Sequence, residues 1–157
     1  MREVIGDILT PASGGASVVV CHQVNCMGVM GAGLARQIRD RFPEVFRAYK
    51  KQCLAWKHNP GGNLGDVLYC PAGDEAGYVV ANIFGQLSYG IGRRQTDYDA
   101  VRDGLRNIAA SFPGGTIRIP YGMGCGLGGG DWNIVLGIIM EILVSKGIDV
   151  EIWKLVQ

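Results

Sequence analysis

Long apolar runs are scarce in this 157-residue chain. The longest, residues 134–144, is broken by Gly137 and Glu141 and falls well short of the roughly 20 residues that span a bilayer. The opening MREVIGDIL lacks the apolar stretch of a secretory signal. Metal-ligand spacing is missing as well. Five cysteines occur without a CxxC pair and with only two histidines beside them, which argues against zinc. An odd set of thiols suits a reducing compartment, so the expected setting is the cytoplasm, with no membrane. Net charge is only +1, leaving no global field to draw in nucleic acid or lipid. Arg36, Arg39, Arg41, Arg47, Lys50 and Lys51 cluster locally and read as the solvated faces of two helices, with an anionic macromolecule as the lesser alternative. Lysine is absent between Lys57 and Lys146.

Glycine, by contrast, is plentiful. Six of the 25 glycines fall between Tyr121 and Asp131, in PYGMGCGLGGGDW. Ordering glycine costs more backbone entropy than ordering any other residue, and a plain turn needs one or two. A loop that lays bare N–H groups against a bulky anion uses all six. The rest is ordinary for a globular protein, with 48% hydrophobic and 18% charged residues, and the length suits one domain, 1–157, with its own core.

Strand-like runs occur at residues 2–8, 17–23, 67–70, 78–84, 116–119 and 150–155. Four segments read as helices. One runs from about Ala32 to before Pro43, and a second from Pro43 towards Trp56. The third carries Tyr98, Val101, Leu105, Ile108 and Phe112 at spacings of three and four, with Thr96 as its cap and Asp99 completing a capping box. The fourth spans about 131–146, stops at Gly147, and is apolar nearly all round, which predicts deep burial. The order β-β-α-α-β-β-α-β-α-β implies helices on both faces of a mostly parallel or mixed sheet. Ligands of such sheets bind beyond the carboxyl ends of the strands. Two glycine-bearing loops lie there, HQVNCMGVMGAG and the stretch above. Their N–H groups and two helix N-termini would cradle phosphate.

Three phosphate-binding readings compete. A Walker A loop needs Lys followed by Ser or Thr, and neither follows these glycines. Gly124, Gly126 and Gly129 formally spell GxGxxG with Asp149 twenty residues on, but a dinucleotide domain begins with that unit, whereas here it falls near the end. An NAD-dependent oxidoreductase is therefore a remote alternative. The third reading rests on GDIL, HQVNCMGVMGAGLARQIRDRFPEVFRAY, ANIFGQLSYG, TDYDAV and IPYGMGCGLGGGDWN, five motifs in order over nearly the whole chain. Together they resemble the macrodomain family, in the branch of ADP-ribose 1''-phosphate processing proteins and terminal ADP-ribose protein glycohydrolases. The resemblance implies a three-layer α/β/α fold, a mixed, roughly six-stranded sheet, and ADP-ribose or a derivative held in the crevice.

It also implies roles. Asp7, with Ile8 beside it, would accept a hydrogen bond from the adenine amino group, or else merely shape a turn. Asn25 would hold the distal ribose hydroxyls, or brace its loop. Met30, Gly31, Ala32, Gly33 and Leu34 on one side, and Gly124, Cys125, Gly126, Leu127, Gly128, Gly129 and Gly130 on the other, would line the diphosphate and distal ribose. Gln86, Tyr89 and Tyr98 resemble residues near the rim. His22, Asn25 and Asp131 are the candidate catalytic residues: an imidazole suits acid–base work, and Asp131 is the sole carboxylate of the glycine loop. Equally, His22 reads as a core histidine and Asp131 as a helix cap.

The lysine nucleophile and following aspartate used by some of the branch are missing, as is the aspartate that another macrodomain type places after its first-loop glycines. That leaves direct attack of water at C1'' or at a 1''-phosphorus, or else binding without turnover. No cofactor or metal is expected. The expected partners are ADP-ribose derivatives, ADP-ribosylated protein or nucleic acid among them, bound by a monomer.

Overall fold

The computed structural model describes residues 1–12, 15–58 and 63–156. Six strands form one sheet: β1 (Arg2–Ile5), β2 (Val18–Asn25), β3 (Val67–Pro71), β4 (Tyr78–Gln86), β5 (Thr116–Pro120) and β6 (Asp149–Lys154). Their order is β1-β6-β5-β2-β4-β3, parallel throughout except for β3, which runs antiparallel to β4. The helices are α1 (Gly33–Arg41), α2 (Pro43–Ala55), α3 (Tyr98–Ser111) and α4 (Trp132–Ile142).

Period-two alternation along β2 divides the core. Val19 and Cys21 join Val101, Leu105 and Ile108 of α3 and Val135 and Ile139 of α4 on one face. Val18 and Val20 meet Ile38 of α1 and Val45 of α2 on the other. Further along that second face, Val24 and Phe84 pack with Tyr49 and Cys53. Burial on both sides explains why β2 reads as a continuous apolar run rather than an alternating one. Gly104 lets α3 lie close on the sheet, since a Cβ there would stand 2.7 Å from Ile83 Cγ2.

Three details differ from the sequence reading. The cap of α3 is Asp97, whose side chain accepts from the Ala100 amide, and Thr96 is drawn elsewhere. Helix α4 ends at Ile142 and gives way to a 3-10 turn at Val144–Lys146, closed by Gly147 at φ +75°. Nor is α4 buried all round: Ile134 and Met140 stay 45% and 42% exposed, because the helix covers the sheet with one stripe only. Among the described residues no helix is long and apolar enough to cross a membrane.

The topology sets the position of the site. From β2 the chain crosses by α1 and α2 towards β3 and β4, whereas from β5 it crosses by α4 towards β6, on the opposite side. β2 and β5 are neighbours, so their C-terminal ends flank the point where strand order reverses and a crevice opens.

Candidate functional site

The loop leaving β2 is organised by Asn25. Its Oδ1 accepts from the amides of Met27 and Val29 and shares the Tyr49 hydroxyl proton, at 2.8 Å, with the Asn25 backbone carbonyl at 2.7 Å, while Nδ2 donates to the Val29 carbonyl. This network fixes the amide's orientation and leaves one Nδ2 hydrogen without a partner among these bonds. Tyr49 is fully buried, and nothing in its sequence context marks it as this anchor. Beyond the loop, α1 starts at an N-cap, Ala32, that has no side chain to cap it, and no acidic residue occupies its first turn. The amides of residues 31–35 consequently find no acceptor among the described residues. That helix end carries partial positive charge.

The glycine loop after β5 folds back on itself. Gly130 N donates to the Gly124 carbonyl, Gly129 N to Gly126, and both Gln95 N and Thr96 N to Gly128. The carbonyls of Gly124, Gly126 and Gly128 are thereby occupied, two from within the loop and one from the segment before α3, while the amides of Gly122, Gly124, Gly126, Leu127 and Gly128 have no acceptor among the described residues. Glycine is required by crowding as well as by φ: a Cβ on Gly128 would lie 2.6 Å from Thr96 Oγ1, and one on Gly130 2.8 Å from the Gly124 oxygen.

The residues that carry these two sets of amides line one cavity of about 530 Å³ together with His22, Asn25, Gln86, Tyr89 and Tyr121. Gly33, Leu34, Pro120 and Tyr121 also border a second, larger hollow of about 1080 Å³, which holds Asp7, Ile8 and Trp153. The two hollows thus adjoin across these four residues, between Asp7 and the glycine loop. Asp7 Oδ1 accepts from the Leu9 amide and Oδ2 from Arg41, both at 2.9 Å. Partial burial works to raise the Asp7 carboxyl, but these two partners outweigh it and hold it below its usual range.

The expected site residues divide accordingly. Gly31, Ala32, Gly33, Leu34, Gly124, Gly126, Leu127 and Gly128 line the first cavity with His22 and Asn25. Cys125, Gly129 and Gly130 form the loop's frame rather than the cavity wall, and Met30 is buried beneath, against Tyr49 and Phe84. Asp131 stands outside the cavity lining. Its carboxylate accepts from Asn133 N at 2.8 Å and caps α4, so α1 alone presents an uncapped helix N-terminus to the ligand side. Tyr98 accepts from the Asp131 amide at 2.9 Å.

His22 is 2% exposed, with Nε2 2.6 Å from Asn82 Oδ1. Because the Asn82 amide nitrogen donates to the Leu68 carbonyl, its oxygen must accept, which makes His22 the Nε2–H tautomer. Nδ1 is buried without a partner among the described residues. Burial pushes the imidazole down to about 4, with the Asn82 bond opposing, so the ring is neutral at physiological pH. Sequence reasoning passed over Gln23, which lies in the cavity wall and bonds Gln86 and Thr96; a lone glutamine at a strand end carries no signal.

No group of three or more His, Cys, Asp or Glu that could hold a metal ion occurs among the described residues. The arrangement suits an elongated anion instead: amide dipoles at its centre, a carboxylate acceptor at one end, and no Asp, Glu, Lys or Arg in the lining of the first cavity.

Residues 21–139 match the Macro domain family. A stretch of 60 residues, 38% of this chain, is 37% identical to an ADP-ribose 1''-phosphate phosphatase of Meyerozyma guilliermondii and spans 34% of that protein. Another of 32 residues, 20% of this chain, is 60% identical to a DNA ADP-ribosyl glycohydrolase of Mycobacterium tuberculosis, of which it spans 9%. The matched stretches thus cover well under half of either relative's length. Among solved structures, a macrodomain protein from Streptomyces coelicolor superposes with a TM-score of 0.78 at 25% identity, over 98% of both chains. The family match takes in well over half of the sequence, and the chain belongs to the macrodomain family.

Proposed function

We propose that this chain binds ADP-ribose along the crevice and hydrolyses a bond at C1'' of the distal ribose. Adenine takes the hollow beside Asp7 and Ile8, the diphosphate the amide cradle, and the distal ribose the space between Asn25 and the glycine loop. One observation carries the reading: two runs of amides without acceptors line the same cavity, whose volume of about 530 Å³ is that of a small-molecule site. The spare Nδ2 hydrogen of Asn25 is a donor for a ribose oxygen. The hydrolase activity is supported by the names of the two curated relatives, both of which act on ADP-ribosyl derivatives.

The ionisable side chains in the lining of the first cavity are His22, Tyr89 and Tyr121. With His22 neutral and buried, the chemistry falls to water positioned by the backbone cradle and the substrate's own diphosphate. The same observation favours the second reading, a module that holds ADP-ribose without turning it over. The chain would act as a monomer and a single unit, with its first and last strands paired. Its five free cysteines support a cytoplasmic setting.

Calorimetry should give a one-to-one complex with ADP-ribose and much weaker binding of AMP, which lacks the distal ribose. No heat at millimolar ADP-ribose would sink the reading. A panel of ADP-ribose 1''-phosphate, ADP-ribosylated protein and ADP-ribosylated DNA then identifies the leaving group. Binding with no turnover of any member selects the second reading.

A further inference from the structure

A glycine-rich loop holds an anion only while its carbonyls face away, and a peptide plane with glycine on one side flips with little steric hindrance. The Gly124–Cys125 peptide is such a plane, with Gly124 at φ +76°. Its carbonyl accepts from the Gly130 amide at 2.9 Å and from the Thr96 hydroxyl at 2.6 Å. Thr96 is 2% exposed, and its backbone is fastened to the end of β4 by a bridge to Gln86.

The direction of that hydroxyl bond is dictated from behind. Gln23 Nε2 donates to Gln86 Oε1 at 2.7 Å and to Thr96 Oγ1 at 2.9 Å. Gln86 in turn is oriented by its own donation to the Ser88 carbonyl at 2.7 Å. Reversing the Gln23 amide would set its oxygen against that of Gln86, so Nε2 must face Thr96. A hydroxyl has one proton. As Thr96 already accepts from Gln23, that proton is left for Gly124.

We propose that Thr96 is a positioning residue: its hydroxyl latches the Gly124 carbonyl away from the crevice, and Gln23 sets the direction of the latch. Without it, the plane is held, among the described residues, only by the Gly130 amide on its carbonyl and by the donation of its own Cys125 amide to the Gly122 carbonyl at 2.8 Å, and a carbonyl oxygen that swings towards the place of the diphosphate opposes the ligand with its partial negative charge. The inference rests on the ADP-ribose reading above.

The test is to titrate ADP-ribose, and adenosine as the ligand without phosphate, into wild type, Thr96→Val, Thr96→Ser and Gln23→Met, with a thermal melt of each. Thr96→Val should lose about tenfold or more in ADP-ribose affinity, the scale of one hydrogen bond together with an opposed dipole. Thr96→Ser should restore binding, Gln23→Met should fall between, and adenosine should bind all four alike. Equal ADP-ribose affinity in Thr96→Val and wild type, whatever the melting temperature, overturns the latch. So does a parallel loss for adenosine, which would mark general damage. Should Thr96→Val fail to fold, undiminished ADP-ribose binding by Gln23→Met overturns it instead. Wild type that binds no ADP-ribose removes the reading on which the latch depends.

Discussion

His22 shows how burial decides between two uses of one side chain. Its type and its place at a strand end permit acid–base chemistry or bracing alike, and nothing nearby in the chain separates them. Asn82 does, 60 residues away, by fixing the tautomer at 2.6 Å. The depressed imidazole also has a consequence for stability. Above the unfolded value of about 6.5 both states are neutral and the group contributes nothing pH-dependent. As pH falls below that, the unfolded chain takes up a proton that the native ring refuses until about pH 4. Stability is therefore lost across this window, by roughly 3 kcal/mol if the whole shift is expressed. Urea unfolding of wild type and His22→Gln at pH 7.5 and 5 checks this, since the carboxylates common to both cancel. The wild type should lose more; equal losses would mean that His22 titrates normally in the fold.

Helix starts were partly legible. The glycine-bearing lead into α1 and the proline opening α2 place both helices to within a residue or so. The cap of α3 is not legible in this way, because Thr96 and Asp97 are both good capping residues. What separates them is a tertiary contact, the pull of the Gly124 carbonyl on Thr96. The contrast between helices carries a prediction. α3 and α4 are closed by their own aspartates, whereas α1 begins at Ala32, in extended backbone at φ −148° and ψ 163° that an N-cap aspartate readily adopts. Ala32→Asp should stabilise the protein by about 0.5–2 kcal/mol. It should also weaken ADP-ribose at least tenfold, because a fixed carboxylate then competes with the diphosphate for the same dipole. Denaturation and calorimetry on the same sample measure both. A variant that gains stability and keeps its affinity would remove α1 from the anion site.

At the scale of the molecule, the alternation of strands and helices announces a layered α/β fold, but not which strands are neighbours. The pairing of β1 with β6 joins the two ends of the sequence, and local periodicity is blind to it. The same non-local pairing puts β2 beside β5 and so brings two loops about a hundred residues apart onto one crevice. A ligand that spans them should register on both. Hydrogen exchange in saturating ADP-ribose should slow at residues 31–35 and 122–128 together, while adenosine leaves the second loop unchanged. Protection confined to one loop would mean that the crevice does not act as a single site.

The uncapped α1 and the glycine loop share a further property: the donors they present belong to the main chain. Truncating the side chains around the crevice to alanine removes none of them, so an alanine scan would search the walls of this site and pass over its centre. Only changes that add bulk at a glycine, delete an N–H with proline, or loosen a peptide plane from behind reach these backbone donors. The centre of the site is written in conformation, and its donors survive side-chain exchange wherever the backbone path is kept.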